Sequence, residues 1–75
     1  MLLEHLALAA RHVAQGEANV RRQRELANKL TLEGHAALAI KALDLLAKFE
    51  EVQLAHVADR DRISGELSKF EKAEP

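Results

Sequence analysis

The amino-acid sequence predicts an all-α protein, folded as an antiparallel helical hairpin that dimerises into a four-helix bundle. Three observations predict it. Ala, Leu, Glu, Lys and Arg dominate, Trp and Tyr are missing, and the single Pro stands at the extreme end; helix formers prevail and the β-branched and aromatic clusters of strands do not occur. Apolar residues recur three and four apart in both halves of the chain, the period of a helix with one buried side. Gly34 is the only strong punctuation in the interior, and the apolar register changes across it.

Helix 1 is expected from about residue 3 to 33, with Glu4 placed against the positive end of the helix dipole. Its inward positions read Leu2, Leu6, Ala9, Val13, Gly16, Val20, Gln23, Ala27 and Leu30, spaced alternately four and three. Ala9, Gly16 and Ala27 are small enough to let another backbone approach, although Gly16 costs about 1 kcal/mol of helix propensity against Ala. Glu17 with Arg21 and Glu25 with Lys29 are i,i+4 pairs in the favourable order.

The turn is placed at about 34–35. Following Glu33, Gly34 suits the position where a left-handed residue closes a helix. Continuing the helix 1 register past Leu30 lands on Gly34, Ala37, Lys41, Asp44 and Lys48, so a continuous rod would rotate its apolar stripe away from the seam. That argues against the alternative topology, one long uninterrupted coiled coil. His35-Ala36-Ala37 offers no capping side chain for helix 2.

Helix 2 is expected over about 36–70. At 100° per residue, Leu38, Ala42, Leu45, Leu46, Phe49, Val52, Ile63 and Leu67 gather on one face, with Gln53, His56 and Arg60 in its middle. Asp44 with Lys48 and Arg62 with Glu66 are further i,i+4 pairs. Ser64-Gly65 marks a point of fraying, and Lys69 to Pro75 reads as a solvated tail from which Phe70 can reach the core. A turn at 34–35 pairs positions whose numbers sum to about 69. Gly16 then lies near Gln53, Val13 near His56, Ala9 near Arg60, Leu6 near Ile63 and Leu30 near Leu38, with Phe49 over the gap left by Gly16. Two helices of roughly 30 residues give a rod about 45 Å long.

The apolar face of helix 2 is wider than helix 1 can cover, and a chain of 75 residues buries only a modest fraction of its surface alone. A second copy in C₂ symmetry is the expected remedy, with a helix from a different protein as the other candidate. The residues assigned to assembly are Leu6, Val13, Val20, Leu38, Leu45, Leu46, Phe49, Val52, Ile63 and Leu67.

The pattern Gly34-His35, Leu45-Leu46, Phe49-Glu50, His56-Val57-Ala58-Asp59-Arg60-Asp61-Arg62 and Glu66-Leu67 resembles a group of short, uncharacterised bacterial helical proteins. The resemblance covers most of the chain and implies a helical bacterial protein, but no chemistry. In that group the Gly-His is followed by an Asp or Thr able to cap helix 2, where this chain has Ala36-Ala37.

Composition bounds the function. There is no Cys and the net charge is −1, so neither a disulfide scaffold nor a bulk electrostatic attraction to nucleic acid or membrane is indicated. No basic leader precedes an apolar run, and no window approaches the roughly 18 apolar residues of a membrane span. A cytoplasmic protein with no membrane partner is expected. Catalysis is not expected: Thr31, Ser64 and Ser68 have no His-carboxylate companion in the hairpin register, and no phosphate-binding glycine loop exists.

Three polar groupings remain. His5, His12, His56 and Asp59, with Glu17 nearby, are a conceivable zinc site, which makes a histidine-lined metal or small-ligand bundle the alternative function. The inward Glu residues and Glu-x-x-His pairs of metal-holding bundles are missing, and no cofactor is expected. Arg21, Arg22, Arg24 and Lys29 concentrate basic charge but spread around the helix beside Glu17 and Glu25, so nucleic-acid binding is the weaker possibility. Gln53, His56 and Arg60 are best read as a polar layer that fixes register and partner, satisfied by Gln23, Glu17 or Asp59 and Asp61 of another copy. Histidine changes charge within the physiological pH range, so association is expected to respond to pH through His56. The leading reading is a small non-enzymatic interaction or scaffolding module that self-associates.

Overall fold

A computed structural model describes residues 1–72. It contains two α-helices, α1 (Leu2–Leu32) and α2 (Ala36–Lys72), packed antiparallel against each other. The hairpin agrees with the sequence expectation. No strand occurs among the described residues.

α1 begins one residue earlier than expected. The His5 amide donates to the Met1 carbonyl at 3.1 Å, with no side-chain cap, while Glu4 in the first turn and Lys29 in the last complement the helix dipole. It ends in a Schellman closure. The His35 amide donates to the Leu30 carbonyl (2.9 Å) and the Gly34 amide to Thr31 (3.2 Å), with Gly34 at φ 81°. Only a residue without Cβ takes that conformation freely. α2 starts at once, its first bond running from the Ala39 amide to the His35 carbonyl (2.8 Å). The turn is thus held by backbone bonds, and the missing capping side chain does not prevent it.

The seam of α1 is the stripe read from the sequence: all nine of its positions are buried or half-buried. The seam of α2 differs. It follows Ala39, Ala42, Leu46, Phe49, Gln53, His56, Arg60, Ile63 and Leu67, again spaced three and four and each at least half-buried. Leu38, Leu45 and Val52, expected on the inward face, are exposed at 52%, 43% and 52%. Ala39 therefore takes the place opposite Leu30 that Leu38 was expected to fill. The two heptad patterns mesh over their full length, so the hairpin is a two-stranded antiparallel coiled coil.

Small side chains dominate its centre. Ala9, Ala27, Ala39 and Ala42 are buried, Ala27 to 1% exposure, and no large side chain is fully buried. Three further expectations are corrected. The molecule extends 63 × 15 × 14 Å, longer than expected, because α2 has 37 residues, about 56 Å of helix, and overruns the start of α1. Helix α2 stays helical through Ser64-Gly65 and on to Lys72, with Phe70 exposed because nothing on α1 lies opposite; residues 73–75 of the expected tail lie outside the described residues. Of the four anticipated i,i+4 pairs only Arg62–Glu66 closes (3.0 Å), while Lys29 turns to Glu33 at 3.9 Å.

Gly34 has nothing within 4 Å of where a Cβ would stand, so a side chain there meets strain and no clash. Gly34→Ala should lower hairpin stability by about 1 kcal/mol, the cost of a left-handed non-glycine residue less the entropy gained. Urea unfolding followed by circular dichroism checks this; an unchanged midpoint would count against the closure.

Candidate functional site

The polar middle of the seam holds Gln53, His56 and Arg60, each half-buried, with the Gln53 amide against Gly16 and the His56 ring beside His12. Its hydrogen-bond partners are not those expected. Gln53 Nε2 donates across the interface to the Val13 backbone carbonyl at 2.9 Å, not to a side chain. Its Oε1 is buried without a hydrogen-bond partner and occupies the space that a Cβ on Gly16 would need. The gap left by Gly16 is therefore filled by this amide, and not by Phe49.

Gln23 repeats the device from the other helix. Its side chain is buried, and Nε2 donates to the Ala42 carbonyl at 3.0 Å. Each glutamine takes the spare lone pair of a carbonyl already engaged in its own helix, so both backbones are tied without loss of helical bonds. Each such bond contributes about 1 kcal/mol net. The expectation placed Gln23 inward as a partner for the polar layer; its bond to a carbonyl was not foreseen. The usable signal was a pair of inward glutamines, one on each helix, each facing a layer with small neighbours.

His56 and His12 face each other within one chain, ring centroids 5.2 Å apart and planes tilted by 47°. Arg60 does not cross the seam. It is half-buried at the seam and turns its guanidinium to Asp61 at 3.0 Å, as long basic side chains do at an apolar edge.

Grooves flank the seam on both sides, among them an apolar one by the turn at Thr31, Ala36, Ile40 and Leu43. Another is lined by His5, His12, Asp59, Arg62 and Ile63. Here Arg62 is clamped between Asp59 (2.7 Å) and Glu66 (3.0 Å), and the hydrogen bond and charge of Asp59, then the charge of Glu66, hold its pKa above the ordinary guanidinium value. Asp59 is thereby occupied by a cation. Among the described residues no group of three or more His, Asp or Glu side chains stands close enough to hold a metal ion, so His5, His12, His56 and Asp59 share a neighbourhood and form no ligand set within one chain.

The opposite groove is lined by Glu17, Arg21, Arg24 and Glu50, with Leu54 at its edge. Arg24 pairs across it with Glu50 at 3.7 Å, and Arg22 bonds Asn19 at 2.5 Å. The arginine concentration is dispersed and half neutralised, without the one-sided stripe that phosphate tracking needs. No described helix is long and apolar enough to cross a membrane.

The residues assigned to assembly divide in two. Leu6, Val13, Val20, Leu46, Phe49, Ile63 and Leu67 line the seam within the chain, whereas Leu38, Leu45 and Val52 lie outside it. The fold and this seam define the chain as an antiparallel two-helix coiled coil with glutamine-to-backbone layers. Compared with known protein families, with curated proteins and with solved structures, the chain has no match.

A double-mutant cycle tests the Gly16–Gln53 fit. Gly16→Ala should destabilise the hairpin in the native background, because the methyl evicts the Gln53 amide, despite about 1 kcal/mol gained in helix propensity. In a Gln53→Ala background the same change should stabilise by roughly 0.5–1 kcal/mol. Equal effects in both backgrounds would separate the two residues.

Proposed function

We propose that this protein is a small non-enzymatic interaction or scaffolding module that works as a self-associated helical bundle. One observation carries the reading: the hairpin leaves far more surface in water than a compact protein of its size. A monomer of 8.3 kDa ordinarily exposes about 4,600 Å²; this chain exposes 5872 Å². The excess, about 1,300 Å² per copy, exceeds the roughly 800 Å² that each partner buries in a standard interface. Part of that surface is leucine, with Leu26, Leu38, Leu43, Leu45 and Leu54 all exposed. At about 25 cal/mol per Å² of apolar surface, covering them stabilises an assembly over the lone hairpin.

Equilibrium sedimentation at micromolar concentration, with and without chelator, tests this. A dimer indifferent to the chelator is expected. A well-folded lone monomer would remove the proposal, and an assembly that appears only with zinc would favour the metal-binding alternative.

A further inference from the structure

The heptad frame gives the coil two different long sides. On one side an apolar groove opens beside the turn, with Ile40 and Leu43 exposed at 62% and 51%, and it is interrupted at mid-length by charged groups, where Arg24 and Glu50 pair beside Arg21 and Glu17. The other side is divided by distance from the turn. Its turn-proximal half presents Leu26 from α1 and Leu38, Leu45 and Val52 from α2, exposed between 43% and 52%, at the flanking heptad positions next to the seam. Its distal half presents His5, His12, Asp59 and Arg62, with Leu8 exposed at 48% among them, around one groove.

Resting on the self-association argued above, we propose that a second copy docks on this divided side in one orientation, side by side, with both turns at the same end. The two-fold axis then runs along the rod. Leucines and valine of one copy meet those of the other, and the mixed charges of the distal halves face one another, where Arg62 of each copy lies within reach of acidic groups on both. A reversed pairing is opposed by desolvation: it would press Leu38 and Leu45 onto Asp59, Arg62 and two histidines, with Leu8 the exposed apolar side chain there to meet them, stripping water from charges without replacing their partners. A staggered pairing that overlaps only the turn halves meets the leucines but leaves the distal halves open, covering about half of the excess surface. Side-by-side alignment covers the full length. A copy of the chain is favoured over a foreign helix because the divided side is its own complement in both halves.

Two measurements test orientation and face separately. The chain has no Cys, so Leu32→Cys and Ser68→Cys place single spin labels on outward positions at the two ends. In the aligned dimer both label pairs should fall within the width of two rods, each 15 × 14 Å in section. Separations near the 63 Å rod length for both pairs would show the reversed pairing. A short Leu32 distance with a Ser68 distance beyond the rod length would show the stagger. Either result, in a protein that sediments as a dimer, overturns the orientation and leaves self-association standing; a monomeric mass overturns both. For the face, Leu45→Glu should raise the dissociation constant by about 100-fold or more, while Leu54→Glu on the opposite side should change it by less than about threefold, with helicity retained in both. Dissociation by Leu54→Glu alone would assign the contact to the wrong side here.

Discussion

The spacing between the two helices governs everything else in this molecule. A pair of helices has a seam but no centre, so its stability depends on how closely the backbones approach. Ala9, Gly16, Ala27, Ala39 and Ala42 permit a near approach, and at that separation a glutamine side chain spans from one helix to a carbonyl of the other. Larger seam residues would push the backbones apart and take those carbonyls out of reach. Close packing also has a cost. Small side chains bury little apolar area, and the larger ones, Leu and Val at the flanking positions, are left on the outside.

The glutamine layers combine two functions that usually conflict. Buried polar groups in a coiled coil hold register but cost stability when they lack partners. Backbone carbonyls are always present, so Gln23 and Gln53 need no complementary side chain on the other helix. The remaining expense is confined to one atom, Gln53 Oε1, which lies unpaired against Gly16. Gly16 is thus neither a hinge nor a helix defect. It is the recess that admits the amide.

The sequence showed the hairpin, the turn residue and the whole α1 seam, because each rests on local chemistry: the positive φ of Gly34, the helix-forming composition, and a strict heptad. It also placed Gln53 opposite Gly16. It misplaced one position of the α2 seam, Leu38 for Ala39, whereas Leu45 and Val52 lie on the flank of the apolar face that α1 was expected to leave uncovered. Leu38, Leu45 and Val52 are more hydrophobic than Ala39, so an apolar face drawn on α2 alone swings toward them. The phase of α2 is set by meshing with nine positions of α1, some of them polar or tiny, and that pairing outweighs side-chain hydrophobicity. The glutamine partners are not legible for a related reason: an inward polar residue points to a complementary side chain, and the acceptors here belong to the main chain.

The distribution of small and large seam residues along the rod also shapes how the hairpin comes together. Closure starts at Gly34, where the loop is shortest, and must proceed through the Leu30/Ala39 and Ala27/Ala42 layers before reaching Leu46 and Phe49. Those first rungs recover little free energy for the chain entropy they consume. The larger gain in buried apolar area comes only with Leu46 and Phe49, so the middle of the rod, more than its closed end, holds the two strands together.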